Sequence, residues 1–170
     1  MKKFLSITIT LAIASMSQFS FANNLTQIKH HDNKALTTMG PQVIHTDKAP
    51  AAIGPYVQGV DLGSMVLTSG QIPINPITGE VPVDVEKQAY QSLENVKAIV
   101  EGSGLKFSDI VKMTIFVKDM NDFEAINKVY GKFFDTLNSS YPARSFIEVS
   151  RLPKDVKIEI EAIAVRSKRT

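Results

Sequence analysis

The sequence contains no cysteine. Disulfides, thiolate metal sites, iron–sulfur clusters, a lipoprotein anchor on Cys and a Cys nucleophile are therefore all excluded. Histidine is scarce: His30, His31 and His45 are the only three, and all precede Thr46. Beyond that point a Ser-His-Asp triad is impossible, and any chemistry rests on carboxylates, Arg or Lys, hydroxyls, backbone groups and water. Net charge is also low. Lys and Arg number 19 against 17 Asp and Glu, and without Lys2 and Lys3 no formal net charge remains. Such a chain offers little of the attraction that nucleic-acid binders draw from phosphates, so no nucleic-acid partner is expected. After the first 22 residues no apolar run is long enough to span a bilayer, so no stable membrane anchor is expected. What remains is ordinary: 170 residues, 44% hydrophobic and 21% charged, suit one compact domain and leave no room for a second full one.

Residues 1–22 carry Lys2 and Lys3, a mostly apolar run from Leu5 to Met16, and Ser20-Phe21-Ala22 with small residues at both ends. That is the anatomy of a cleaved secretory leader, and it predicts an exported protein, periplasmic or secreted, beginning at Asn23. Residues 23–45 form a polar extension without a sustained period. Within it, His30-His31 and Asp32 lack the fixed geometry that a metal site needs, so no metal is expected.

The remaining pattern is regular. Val57–Val60 and Met65–Ser69 read as strands joined by an Asp61-Leu62-Gly63-Ser64 turn. Pro73, Pro76, Gly79 and Pro82 then mark a stiffened loop. Val85, Ala89, Leu93, Val96 and Val100 share one helical stripe that Asp84 can cap and Gly102 or Gly104 can end. Val111, Met113, Ile115 and Val117 alternate as in a strand. Asn121 and Glu124 suit a helix start ahead of the stripe Phe123, Ile126, Val129, Tyr130, Phe133 and Leu137. Arg144–Val149 and Val156–Val165 close the chain as strands. The order implies an α+β fold, a mixed sheet with two helices on one face.

If the last two strands pair as a hairpin, matching their apolar residues puts Arg144, Phe146 and Glu148 on one face with Lys157, Glu159 and Glu161. Arg144 then lies opposite Glu161 and diagonal to Glu159, while Glu148 meets Lys157. Two readings stand. One is a solvated face held by cross-strand charge pairs, each worth about 0.2–1 kcal/mol. The other is an anion clamp, in which the planar fork of Arg binds a carboxylate and a nearby Glu orients or deprotonates water. Ser69-Gly70-Gln71 at a strand end is equally open, between a hydroxyl that ties down a turn and a cleft. Tyr56 and Asn127 fit surface roles as well as functional ones.

Several ordered segments together resemble the RidA branch of the Rid (YjgF) family of enamine/imine deaminases. They are Ala49-Pro50-Ala51-Ala52-Ile53-Gly54-Pro55-Tyr56, Thr68-Ser69-Gly70-Gln71-Ile72-Pro73, Pro142-Ala143-Arg144-Ser145, Arg151-Leu152-Pro153 and Lys157-Ile158-Glu159-Ile160-Glu161-Ala162. The likeness runs over the 46–166 region, leaving a short 167–170 tail. It implies a chorismate-mutase-like fold, a homotrimer with clefts between subunits, and hydrolysis of 2-imino or 2-enamino acids such as 2-aminoacrylate and 2-iminobutanoate to 2-oxo acids and ammonia. It implies no cofactor. By the same resemblance Arg144 binds the substrate carboxylate and Glu159 positions the attacking water and assists proton transfer. Ser69, Gly70, Tyr56 and Asn127 match cleft-lining positions. Phe146 stands where many relatives carry Cys, so thiol properties of those relatives are absent while its backbone can still line the cleft. A noncatalytic small-carboxylate-binding or chaperone-like member of the same family is the alternative.

Overall fold

The computed structural model describes residues 40–166. The segment expected to be a leader, most of the expected extension, and His30, His31 and Asp32 lie outside the described residues, as does the 167–170 tail. Six strands, β1 (Gln42–Ile44), β2 (Gly59–Asp61), β3 (Met65–Thr68), β4 (Ile110–Val117), β5 (Ala143–Glu148) and β6 (Ile158–Val165), make one mixed sheet. Among the described residues two α-helices, α1 (Val85–Gly102) and α2 (Phe123–Thr136), supply the helical layer. The α+β architecture expected from the pattern is present.

Each helix forms where its apolar stripe predicts. The Lys87 N–H donates to the Asp84 carboxylate at 3.0 Å and caps α1. Val85, Ala89, Leu93, Val96 and Val100 are all buried, joined by Ile99. In α2 the start is corrected. Asn121 belongs to a short 3₁₀ turn, and its N–H donates to the Asp119 side chain at 2.9 Å, so Asp119 takes the capping role. Ile126, Tyr130, Phe133 and Phe134 form the buried side of α2, whereas Phe123 and Leu137 stay 39% and 37% exposed at its two ends.

The β2–β3 hairpin closes through the expected turn, where the Gly63 N–H donates to Asp61 Oδ1 at 2.8 Å and Gly63 holds φ 83°. Strand β1 arises in a stretch without periodic signal and pairs with β2, burying Ile44. A register shift between Ile110 and Lys112 turns Val111 outward, so the buried set of β4 is Ile110, Met113, Ile115 and Val117.

The sheet order β1-β2-β3-β6-β4-β5 corrects the expected final hairpin. β5 and β6 do not pair. β4 lies between them, parallel to β5 and antiparallel to β6. The physical reason is the apolar load of β4: a strand with Met113, Ile115 and Val117 fully buried takes a central place with a neighbour on each side. Side chains at paired positions share a face. Arg144, Phe146 and Glu148 pair with Met113, Ile115 and Val117, which pair in turn with Ala162, Ile160 and Ile158. They therefore lie on the helix side. Glu159 and Glu161 pair with Phe116 and Thr114 and lie on the opposite face. The expected Arg144–Glu161 and Glu148–Lys157 pairs are absent. Instead, Glu148 accepts the Met120 N–H at 2.8 Å.

The helix-side core joins Leu93, Val96 and Ile99 of α1 and Ile126 and Phe134 of α2 to the buried rows of β4 and β6. A smaller cluster of Ile72, Ile74, Leu152 and Val156 binds the proline-rich loop to the turn before β6. Buried amides hold the loops. Asn95 donates to the carbonyls of Ile72 and Ile74 at 3.1 and 3.0 Å. Gln58 donates to Thr46, Ala49 and Pro50 carbonyls and accepts the Thr46 N–H at 2.8 Å.

Candidate active site

The named residues gather in two places. On β5, an edge strand, Arg144 rises on the helix side beside α2. Its Nη1 donates to Asn127 Oδ1 at 2.7 Å. The guanidinium carbon stands 4.8 Å from the centre of the Tyr130 ring, 5.6 Å from that of Phe146 and 6.0 Å from that of Phe123. Phe123 and Phe146 meet edge to face with centroids 4.8 Å apart. Phe123, Asn127 and Tyr130 follow one another at helical spacing, so a single stripe of α2 faces the arginine. Among the described residues no carboxylate pairs with Arg144. A neutral amide and aromatic faces do not offset the charge of a guanidinium as a carboxylate would, and its other donors suit a carboxylate. Arg144, Asn127 and Tyr130 border an open depression of about 380 Å³ together with Gly131, Tyr141 and Pro142. The Tyr130 hydroxyl is buried without a hydrogen-bond partner among the described residues, and burial pushes its pKa up to about 12.

The second group stands on the other face. Glu159 is half-buried on β6, and its carboxylate occupies the space where a side chain on Gly70 would be. Burial, then the charge of neighbouring Glu161, raises the Glu159 carboxyl above its ordinary value. Gly70 is fixed at this spot by Gln71. The Gln71 N–H donates to the Ile160 carbonyl at 2.8 Å, the Ile160 N–H returns a bond at 3.1 Å, and the Gln71 side chain donates to the Ser69 and Gly70 carbonyls. The Ser69 hydroxyl donates to the Val57 carbonyl at 2.6 Å, which is the turn-tying arrangement. Tyr56 is 46% exposed, and its hydroxyl accepts the Ile53 N–H at 3.2 Å. Tyr56 and Gly70 border one small crevice with Gln58 and Ile72.

Arg144, Asn127 and Phe146 are thus together, and Glu159, Gly70, Ser69 and Tyr56 are together, but the two groups occupy opposite faces of the sheet. One chain does not place Arg144 beside Glu159. The first group can bind an anion. The second holds a carboxyl able to exchange protons nearer neutrality than an exposed Glu. The apolar stripe of α2 accounts for Tyr130 as a core residue and gives no sign that its ring also faces Arg144. Gln58 and Gln71 carried no signal beyond being amides near turns. Among the described residues no group of three or more His, Asp or Glu side chains could hold a metal ion.

A mixed sheet with two helices and these segments is the frame of a known family. The profile of the Endoribonuclease L-PSP family matches residues 46–166, and the chain belongs to that family. The 2-iminobutanoate/2-iminopropanoate deaminase of Escherichia coli K12 is 70% identical over 125 residues, spanning 74% of this chain and 98% of that protein. The crystal structure of the E. coli YjgF gene product superposes with a TM-score of 0.73 at 69% identity, covering 74% of this chain and 99% of the other. That of E. coli TdcF with bound serine does so with the same score at 66% identity, covering 74% and 99%.

These relatives overturn the expectation of export. The 98% of the E. coli deaminase that aligns leaves too little of that protein for any counterpart of a 22-residue leader. A periplasmic or secreted location is accordingly withdrawn.

Proposed function

We propose that the chain is a hydrolytic deaminase of 2-imino and 2-enamino acids, releasing 2-oxo acids and ammonia, and that it works as a homotrimer with its active clefts between subunits. The observation that supports the reading is the placement of Arg144 on one face of the sheet and Glu159 on the other; packing of two copies would bring a carboxylate-binding arginine and a proton-exchanging glutamate together. The face opposite the helices suits such packing. It carries Phe116, Ile147 and Ile163 with no helix over them among the described residues; Phe116 leans on the Ile72–Val156 cluster, and Ile147 is 41% exposed. The 70% identity to a protein named 2-iminobutanoate/2-iminopropanoate deaminase supports the substrate class.

The chemistry follows from the two halves. Arg144, steered by Asn127, takes the substrate carboxylate, and Tyr56, Ser69, Gly70 and Phe146 line the cleft. An enamine first takes a proton from solvent at C3 and becomes the iminium, whose C2 is electrophilic. Water attacks C2, its oxygen forming the new bond while the C=N electron pair moves to nitrogen, and Glu159 takes a water proton. Glu159 then returns that proton to the amine, the C–N bond breaks and ammonia leaves, and Glu159 takes the C2 hydroxyl proton, passing it to solvent, as the hydroxyl becomes a carbonyl. No covalent nucleophile is needed because an oriented water beside a fixed iminium supplies proximity. No cofactor enters any step.

The test uses serine dehydratase to generate 2-aminoacrylate in place and follows 2-oxo acid release. Wild type should accelerate release over background, and Arg144→Ala should abolish the acceleration. Absence of acceleration by wild type overturns the reading. A second reading, a small-carboxylate-binding protein without turnover, draws on the completeness of the Arg144–Asn127 group within one chain. Calorimetric binding of a 2-oxo acid without any acceleration would favour it.

A further inference from the structure

Arg144 is held in an unusual way for a half-buried cation. A carboxylate partner would be the ordinary solution, yet such a partner would occupy the donors and cancel the charge that an incoming anion needs. Here the guanidinium instead lies over the Tyr130 ring at 4.8 Å, with Phe146 and Phe123 at 5.6 and 6.0 Å. Aromatic faces attract the cation through their quadrupole and leave its N–H groups free. Of the three rings Tyr130 is nearest and the most buried, at 5% exposure against 39% for Phe123. Its own place is fixed by Phe134, whose ring centroid is 4.6 Å away. The Tyr130 hydroxyl engages no partner among the described residues, so what the residue offers Arg144 is its ring.

We infer that Tyr130 is a positioning residue for the anion site: its ring face fixes the direction of the Arg144 guanidinium while leaving the charge uncancelled for the substrate carboxylate. The inference rests on the deaminase reading for the identity of that carboxylate. It adds a residue and a physical role that Asn127 alone cannot fill, because one hydrogen bond to Nη1 leaves the guanidinium plane free to swing about it.

The experiment uses the full chain and 2-oxobutanoate as the probe, with binding read by calorimetry and the Arg144 side-chain resonances by NMR. Tyr130→Leu keeps apolar bulk but removes the π face. It should raise the Kd about tenfold, the size of a desolvated cation–π contact, and move the Arg144 Hδ and Hε resonances downfield as ring-current shielding is lost. Tyr130→Phe should restore both, which a role of the hydroxyl would not allow. An unchanged Kd and unmoved Arg144 resonances in a folded Tyr130→Leu protein overturn the inference. Should that variant fail to fold, Phe123→Leu at the helix end should raise the Kd about threefold, and no change there overturns it equally. Arg144→Ala separates the two levels. If it binds 2-oxobutanoate as tightly as wild type, the anion anchor of the deaminase reading falls. If it loses binding while Tyr130→Leu does not, only the positioning role falls.

Discussion

The Glu159 carboxylate lies against the backbone of Gly70, in space that any side chain at that position would claim. The contact joins a strand end to the loop that follows β3, and it is kept in place by the paired Gln71 and Ile160 backbones. Proton exchange in the proposed reaction depends on this placement, because the carboxyl that lies here is the one whose pKa is raised.

Gly70→Ala should therefore displace Glu159 more than it disturbs the fold. The atoms it meets belong to a side chain that can rotate away. Turnover of 2-aminoacrylate should fall at least about tenfold while unfolding stability changes by about 1 kcal/mol or less. Assay and urea titration on the same preparation check both halves of the expectation.

Acidity offers a second test. The Glu159 pKa is raised by burial and by Glu161, so the proton-accepting form is lost as pH falls through that raised value. Glu161→Gln should move the acid limb of the pH–rate profile to lower pH. The same shift has a sign in stability. A carboxyl whose folded pKa exceeds its unfolded one favours the fold below the unfolded value, and that contribution is lost as pH rises through the folded value. Glu159→Gln should thus abolish turnover yet raise the thermal midpoint at pH 7, with the gain vanishing at acid pH.

Mixing should reveal a shared site. In the proposed trimer, Arg144→Ala and Glu159→Gln proteins should each be inactive alone. When the two are unfolded together and refolded, some interfaces pair an intact arginine face with an intact glutamate face, and about a quarter of wild-type activity should return for random assembly. No recovery in a mixture shown to be trimeric would rule out a site divided between subunits.

Gln58→Ala removes a buried amide that satisfies three carbonyls and one N–H. It should cost about 3 kcal/mol of unfolding free energy by leaving those groups unpaired. The segment that carries Tyr56 should also become the first to be cut by a protease.

Much of the fold was legible because its helices are strongly periodic. The α1 stripe and its Asp84 cap need no tertiary information, and the Asp61–Gly63 turn announces its hairpin. The strand pairing was not legible. Alternation shows that β5 and β6 each have two faces, but only the partner strand decides which faces coincide, and a buried β4 between them reverses the parity. That reversal separated Arg144 from Glu159. The residues of the candidate site were suggested only through resemblance to a family, since an arginine and a glutamate on strands have the same local pattern as a charge pair. Tyr130 was hidden in a different way, because a tyrosine in an apolar helical stripe already has a sufficient explanation in packing.

An arginine and a glutamate on opposite sides of a single sheet also set how the proposed activity would respond to concentration. In the proposed assembly each chain carries both halves and completes no site alone. Turnover per chain would then decline on dilution with the fraction of chains still assembled, and a ligand that favours the packed state would act as an activator without touching the reacting atoms.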